Sequence, residues 1–231
     1  MSTYAITYLS IIGFGGIFLV IYYLMLGKAA ENLPNTWKKS LPSKKFRISI
    51  LFLAIYLLID FTGETIAIYL AEHGIYNFFV QNINETLFMP FLFGFFFIHT
   101  STRWKRTIYL ILYTIFVIYL ISNGYYHPRS VSSSPSALIF FGICFLGALI
   151  HLTDLLENPK SEHFKFQLKI NLCLLINSLL ATILTSFYLL HINTDFIYSD
   201  LFYYIHAYNI MLYYFALDLI FIHEILKFRR T

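Results

Sequence analysis

The sequence predicts an all-α, polytopic membrane protein: a seven-transmembrane-helix bundle with its N-terminus outside and its C-terminus in the cytoplasm. Of 231 residues, 58% are hydrophobic and 12% charged, whereas soluble domains carry roughly 25% charged residues. Fifteen of the sixteen Lys and Arg residues fall in alternate gaps between apolar runs, Arg129 being the exception. The first gap holds Lys28, Lys38, Lys39, Lys44, Lys45 and Arg47, and the third holds Arg103, Lys105 and Arg106. Lys160, Lys165 and Lys169 lie in the fifth gap, and Lys227, Arg229 and Arg230 follow the last run. Cytoplasmic loops are enriched in Lys and Arg, so each basic gap marks a return to the cytoplasm.

A crossing takes about 20 apolar residues. Spans at 4–26, 48–70, 78–98, 107–122, 137–156, 166–190 and 201–228 use nearly the whole chain as one domain. The first has no basic residue ahead of it, so it reads as a retained span rather than a cleaved signal. A long basic gap with Pro34 and Pro42 precedes the second, and it reads as an irregular segment lying on anionic headgroups. The third carries Pro90, which membrane helices tolerate. The fourth is short and can extend to Tyr125, whereas the seventh is long enough to tilt or to project into the cytoplasm. A Ser- and Pro-rich connection at 127–136 separates the fourth and fifth. Tyr4, Tyr8, Tyr22, Tyr23, Tyr76, Tyr125, Tyr126, Tyr198, Tyr203 and Tyr204 sit near these ends, where amphipathic rings favour the interface. Cys144 and Cys173 fall inside spans without ligand spacing and read as packing residues.

Ionisable side chains inside a span are functional-site candidates by default. The second span runs outward, placing Asp60 near the midplane and Glu64 one turn further out on the same face. The third runs inward, so Gln81, Asn82, Asn84 and Glu85 lie in its outer third. His206 and Asn209 share a face in the outer half of the seventh, with Tyr213 a turn deeper, and Asn177 lies mid-span in the sixth. Asp60, Glu64, Asn82, Glu85, Asn177, His206 and Asn209 are thus the candidate ligand-binding residues. The three carboxylates have no Lys or Arg at their depth. Protonation, His206, a metal ion or a cationic ligand must supply the balance. A second group near the cytoplasmic boundary comprises His99, His151, Asp154, Asp218, His223 and Glu224. Water and the neighbouring Lys and Arg account for most of it, while Asp218 lies about two turns deeper.

Several sharper readings fail on specific residues. A retinal Schiff base requires a Lys in the middle of the last span, and the seventh has none before Lys227. Two parallel three-helix repeats would mirror broken helices, yet the seventh span has no Pro or Gly to match Pro90. Zinc hydrolases of the ceramidase and adiponectin-receptor kind are similar in span count and use HxxxH in the last span. Here Ile210 stands four residues after His206. Glu64, Glu85 and His206 remain a candidate mixed metal set. The Asn84-Glu85-Thr86 sequon lies within a span, which argues against its glycosylation. No phosphate loop, dinucleotide fingerprint or nucleophile elbow occurs, so the sequence leans away from an enzyme. The net charge of +4 follows from the topology and does not point to nucleic acid.

Two segments carry a family likeness. Residues 74–97, GIYNFFVQNINETLFMPFLFGFFF, and 205–222, IHAYNIMLYYFALDLIFI, resemble recurring segments of uncharacterised small seven-helix inner-membrane proteins common in Bacteroidota. In that group an Asn-containing outer turn leads into a Glu-bearing third helix, and the last helix opens with His followed by Asn. The matching positions here are Asn82 or Asn84, Glu85, His206 and Asn209. The resemblance implies a fold and no activity; some relatives resemble the seven-helix sensor regions of bacterial kinases. A wealth of Ile, Phe, Tyr and Asn fits a low-GC bacterial coding bias, and the resemblance implies an inner-membrane location. The expectation is therefore an outward-facing polar pocket that binds a small ligand or cation. It would act as a sensor without its own output domain, in the lipid bilayer, read by a cytoplasmic or membrane signalling partner. A small proton-coupled transporter with Asp60 and Glu64 as proton carriers is the first alternative, and a membrane-embedded metal enzyme the second.

Overall fold

A computed structural model describes residues 3–32, 43–75, 77–124, 134–159, 163–191 and 196–230. These form seven α-helices: α1 (Thr3–Asn32), α2 (Lys44–Glu72), α3 (Phe78–His99), α4 (Arg103–Ser122), α5 (Ser134–Glu157), α6 (Phe164–His191) and α7 (Phe196–Arg230). No strand occurs among the described residues. Much of the first basic gap and most of the Ser- and Pro-rich connection lie outside them.

The helices overrun the apolar spans because different physics sets the two kinds of end. A span stops where the hydrocarbon stops, whereas a helix stops where its terminal backbone groups find other partners. Ser43 caps α2, its Oγ accepting from the Phe46 amide at 3.3 Å, so Lys44, Lys45 and Arg47 lie inside the helix. Likewise α4 begins at Arg103, and the added turn brings the short fourth span to 20 residues. Six of the helices are long and apolar enough to cross a membrane. The seventh is α3, a 22-residue helix whose second turn concentrates Gln81, Asn82, Asn84 and Glu85 before a Phe-rich remainder. That polar turn is what separates it from the others in composition.

Packing follows a ring. Successive contacts run α1 to α2, α2 to α3, α3 to α5, α5 to α6 and α6 to α7, and α7 closes the ring on α1. Helix α4 stands outside, against α3 and α5, and exposes Leu110, Ile111, Ile115, Ile118 and Ile121. An aromatic file ties this outer helix to the ring. Tyr56 meets Phe88 edge-on at 5.0 Å, Phe88 meets Phe140 at 5.4 Å, and Phe140 tilts against Phe116 of α4 at 5.8 Å. Aromatic pairs of this geometry contribute about 0.5–1.5 kcal/mol each beyond their buried area.

At the end of the ring where α3 and α5 finish, the charges are paired. Lys105 is 3% exposed and reaches Asp154 at 3.4 Å and Glu157 at 2.8 Å. Asp154 also accepts from the Ser101 amide at 3.1 Å and its hydroxyl at 3.0 Å, locking the α3–α4 turn onto α5. Arg106 donates twice to the Thr100 carbonyl, at 2.9 and 2.7 Å. Pairing with nearby basic residues thus accounts for Asp154 as the sequence predicts. His151 departs from that reading. It is fully buried, its ring stacks on Phe96 at 4.7 Å, and its Nδ1 donates to Asn171 Oδ1 at 3.1 Å. One turn of α5 before Asp154 is enough to take it from the boundary into the core. Asn171 completes the α5–α6 tie by donating to the Ala148 carbonyl at 3.1 Å.

Breaking a buried ion pair leaves an uncompensated charge, at a cost of about 3–5 kcal/mol, whereas exposed pairs contribute about 0–1 kcal/mol. Lys105→Met should therefore lower stability by about 3 kcal/mol, and Glu157→Gln by less than about 1 kcal/mol. Unfolding of the detergent-solubilised protein measures both, and equal losses would contradict the assignment.

Candidate functional site: an acidic cavity inside the ring

Inside the ring, in the half where α1, α3, α5 and α7 begin, lies a cavity of about 60 Å³. All six ring helices line it: α1 through Tyr8, α2 through Tyr56, Asp60 and Glu64, and α3 through Gln81, Asn84, Glu85, Phe88 and Leu92. Phe140, Phe141 and Cys144 come from α5, Leu174, Asn177 and Ser178 from α6, and Ile210, Tyr213 and Tyr214 from α7. The α2 contribution has helical spacing, with Tyr56, Asp60 and Glu64 stacked at successive i+4 positions. Glu64 and Gln81 are half-buried and form the rim toward the near end, while Asp60, Asn84 and Glu85 are 4–5% exposed.

Asp60 is the best-anchored acid. It accepts from Asn84 Nδ2 at 3.0 Å and from the Tyr214 hydroxyl. These bonds join α2 to α3 and α2 to α7. Asn84 can reach because residue 63 is glycine: a Cβ there would collide with the Asn84 amide. Close helix approach through small residues is a general device of membrane bundles. Around Asp60, Tyr56 and Tyr213 pair their hydroxyls at 3.4 Å, and Tyr8 meets Tyr214 edge-on at 6.2 Å.

Glu85 differs from Asp60. One of its oxygens, Oε2, is buried without a hydrogen-bond partner among the described residues. Its carboxyl is within electrostatic range of Glu64 and Asp60. Among the described residues, no Lys or Arg lines the cavity. Three acids from two helices therefore converge with no built-in cation. At about 10–15 Å³ per water, the space takes a few waters or one small ion, and not a sugar or an amino acid.

Four of the seven candidate binding residues line the cavity: Asp60, Glu64, Glu85 and Asn177. Asn209 stands behind Asn177 and donates to its Oδ1 at 2.9 Å, clasping α7 to α6. Asn82 is fully buried and points elsewhere, accepting from Ser136 Oγ at 2.7 Å and tying α3 to α5. Two residues along a helix turn a side chain by about 200°, so Asn84 rather than Asn82 enters the cavity. His206 also misses it, packing edge-on against Phe141 at 5.4 Å with its Nδ1 buried and unpartnered. Among the described residues, no three His, Cys, Asp or Glu side chains are placed to share a metal ion. Glu64, Glu85 and His206 accordingly do not assemble as a ligand set. Sequence reasoning passed over Tyr8, Tyr56 and Tyr214, which read equally well as interfacial or core residues, and Cys144, which lines the cavity as well as packing. The i+4 spacing of Tyr56 ahead of Asp60 and Glu64 was the available signal.

Gly63→Ala should push Asn84 off Asp60 and cost about 1–3 kcal/mol, the range for overpacking a filled site. Gly16→Ala, whose added methyl meets the Leu58 side chain, provides a comparison without a polar bond at stake. Thermal unfolding of the two variants checks this, and equal losses would show that Asn84 carries no special weight. No family model, curated protein or solved structure matches the chain.

Proposed function

We propose that this protein spans the membrane seven times, with its N-terminus outside, and binds a small cation in the acidic cavity as a receptor-like module. The alternation of basic gaps supports the orientation, which turns the cavity's rim outward. Composition supports a bacterial source, and the resemblance of residues 74–97 and 205–222 supports an inner membrane. The observation that carries the binding reading is the buried, unpartnered Oε2 of Glu85 in a cavity with two further carboxyls and no Lys or Arg. A buried polar atom without a partner is costly, and a cation seated between Glu85 and Glu64 removes that cost. Aromatic walls add to the fit, since ring faces attract cations.

A receptor differs from a passive cavity in that occupancy alters what a partner meets. Asp60 provides the link, because a cation drawing Glu85 and Glu64 together pulls on α3 and α2, the two helices that the Asn84–Asp60 bond joins, and through Tyr214 on α7. A signalling partner in the cytoplasm or the membrane would read that shift.

The test is thermal unfolding of the purified full chain against ammonium, sodium, potassium, magnesium and calcium chlorides at constant ionic strength. A bound ion stabilises the fold by RT ln(1 + [L]/Kd), about 2.7 kcal/mol at a hundred times Kd. At least one of these cations should raise Tm in the unmodified protein and lose most of that effect in Glu85→Gln and Glu64→Gln. A uniform response to all salts, or a shift that survives Glu85→Gln, would overturn the reading.

A further inference from the structure

Helices α1 and α7 run side by side in the same direction, and titratable side chains recur along their seam. Tyr8 meets Tyr214 at 6.2 Å, Gly15 faces Asp218, and Tyr22 lies within electrostatic range of Glu224. The first pair borders the acidic cavity, and Tyr214 donates to Asp60. Asp218 follows one turn later on α7. It is 8% exposed and makes no hydrogen bond or ion pair with another described residue. Gly15 makes room for it, since a Cβ there would collide with the Asp218 carboxyl, and Leu57 of α2 closes the other side of the same niche. Lys169 of α6 sits at a similar level by the Asn177–Asn209 register, but it is exposed and forms no ion pair with Asp218. Near the far end, Glu224 is 7% exposed and contacts His223 at 3.4 Å, whose side chain is 61% exposed.

A carboxyl in a niche opened by a glycine, with no hydrogen bond to another described residue, does not serve to tie two helices together. Its place is midway between an acid cavity at one end of the bundle and an acid touching an exposed imidazole at the other. We propose that Asp218 relays protons between the cavity and Glu224, so that the bundle carries protons from one membrane face to the other. Each step makes and breaks O–H bonds alone. A carboxylic acid gives its proton to the next carboxylate through a water or a tyrosine hydroxyl that releases one proton as it accepts another. The rise along α7 is about 6 Å from Tyr214 to Asp218 and about 9 Å from Asp218 to Glu224, so each step requires a water to enter between the two groups. The electrical and pH gradients across the membrane supply the driving force, and no redox partner is needed. The relay uses the cavity's carboxyls and does not require that a cation occupy them.

The experiment reconstitutes the purified full chain into liposomes with a pH-sensitive dye inside, and imposes an inside-negative potential with potassium and valinomycin. The unmodified protein should acidify the lumen at least tenfold faster than protein-free vesicles. Asp218→Asn should fall to the protein-free rate while keeping any cation-induced rise in Tm, which separates failure of the relay from failure of cation binding. Asp218→Glu should retain flux. Where Asp218→Asn does not yield monodisperse protein, Glu224→Gln tests the same route and should also lose flux. Unmodified protein no faster than empty vesicles, or undiminished flux in Asp218→Asn or Glu224→Gln, would overturn the proposal.

Discussion

The Asp60 carboxylate accepts one hydrogen bond from α3, through Asn84, and one from α7, through Tyr214, and the site is arranged around these two bonds. In a membrane interior no water stands ready to satisfy a stray polar group, so an acid at this depth must be held by donors from its neighbours. Meeting that need sets the rotation of α3. Once Asn84 reaches over Gly63 to Asp60, Glu85 and Phe88, on the same side of α3, also turn toward the ring's interior. Glu64, a turn beyond Asp60, then lines the same cavity as Glu85. Asp60 is thereby satisfied, and the same arrangement brings two more carboxyls together without donors of their own kind.

The two ends of the bundle solve the problem of buried charge in opposite ways. Where α3 and α5 finish, Asp154 has Lys105 and two bonds from Ser101, a closed and nearly neutral cluster that fastens a turn to a helix. Where they begin, Asp60, Glu64 and Glu85 share a cavity that no base among the described residues lines. Desolvation penalises both clusters, but the first contains its own compensation. The second needs it from outside, as protons or a bound cation, which is why it is read as the site. Asp218 belongs with the second kind, since its niche supplies space and no donor.

Much of this was legible in the chain. Alternating apolar and basic stretches predict seven helices within a few residues, and six of those helices are apolar enough to cross a membrane. Helix ends were less legible, because Lys44, Lys45, Arg103, Lys105 and Arg106 continue helices that hydropathy alone would stop. The i+4 spacing put Asp60 and Glu64 on one face of α2, and both line the cavity. What could not be read was which face of α3, α6 and α7 turns inward, since helices apolar nearly all round have no periodicity to show it. That ambiguity explains why Asn82 and Asn84 were indistinguishable in sequence, and why His206 looked like a ligand although it packs on Phe141. Glycine carried the missing signal at residues 15 and 63, but a glycine reports close approach only once its neighbour is known.

The convergence of acids from α2 and α3 can be measured directly by cross-linking. In a background with Cys144 and Cys173 replaced by serine, Glu64→Cys and Glu85→Cys together should be joined by a short bis-methanethiosulfonate reagent within a single chain. A pair on the outward faces of the same two helices, Ile66→Cys with Leu87→Cys, should not. Failure of the first pair to react, with each single cysteine still accessible to a small thiol reagent, would mean that the carboxyls do not share a cavity.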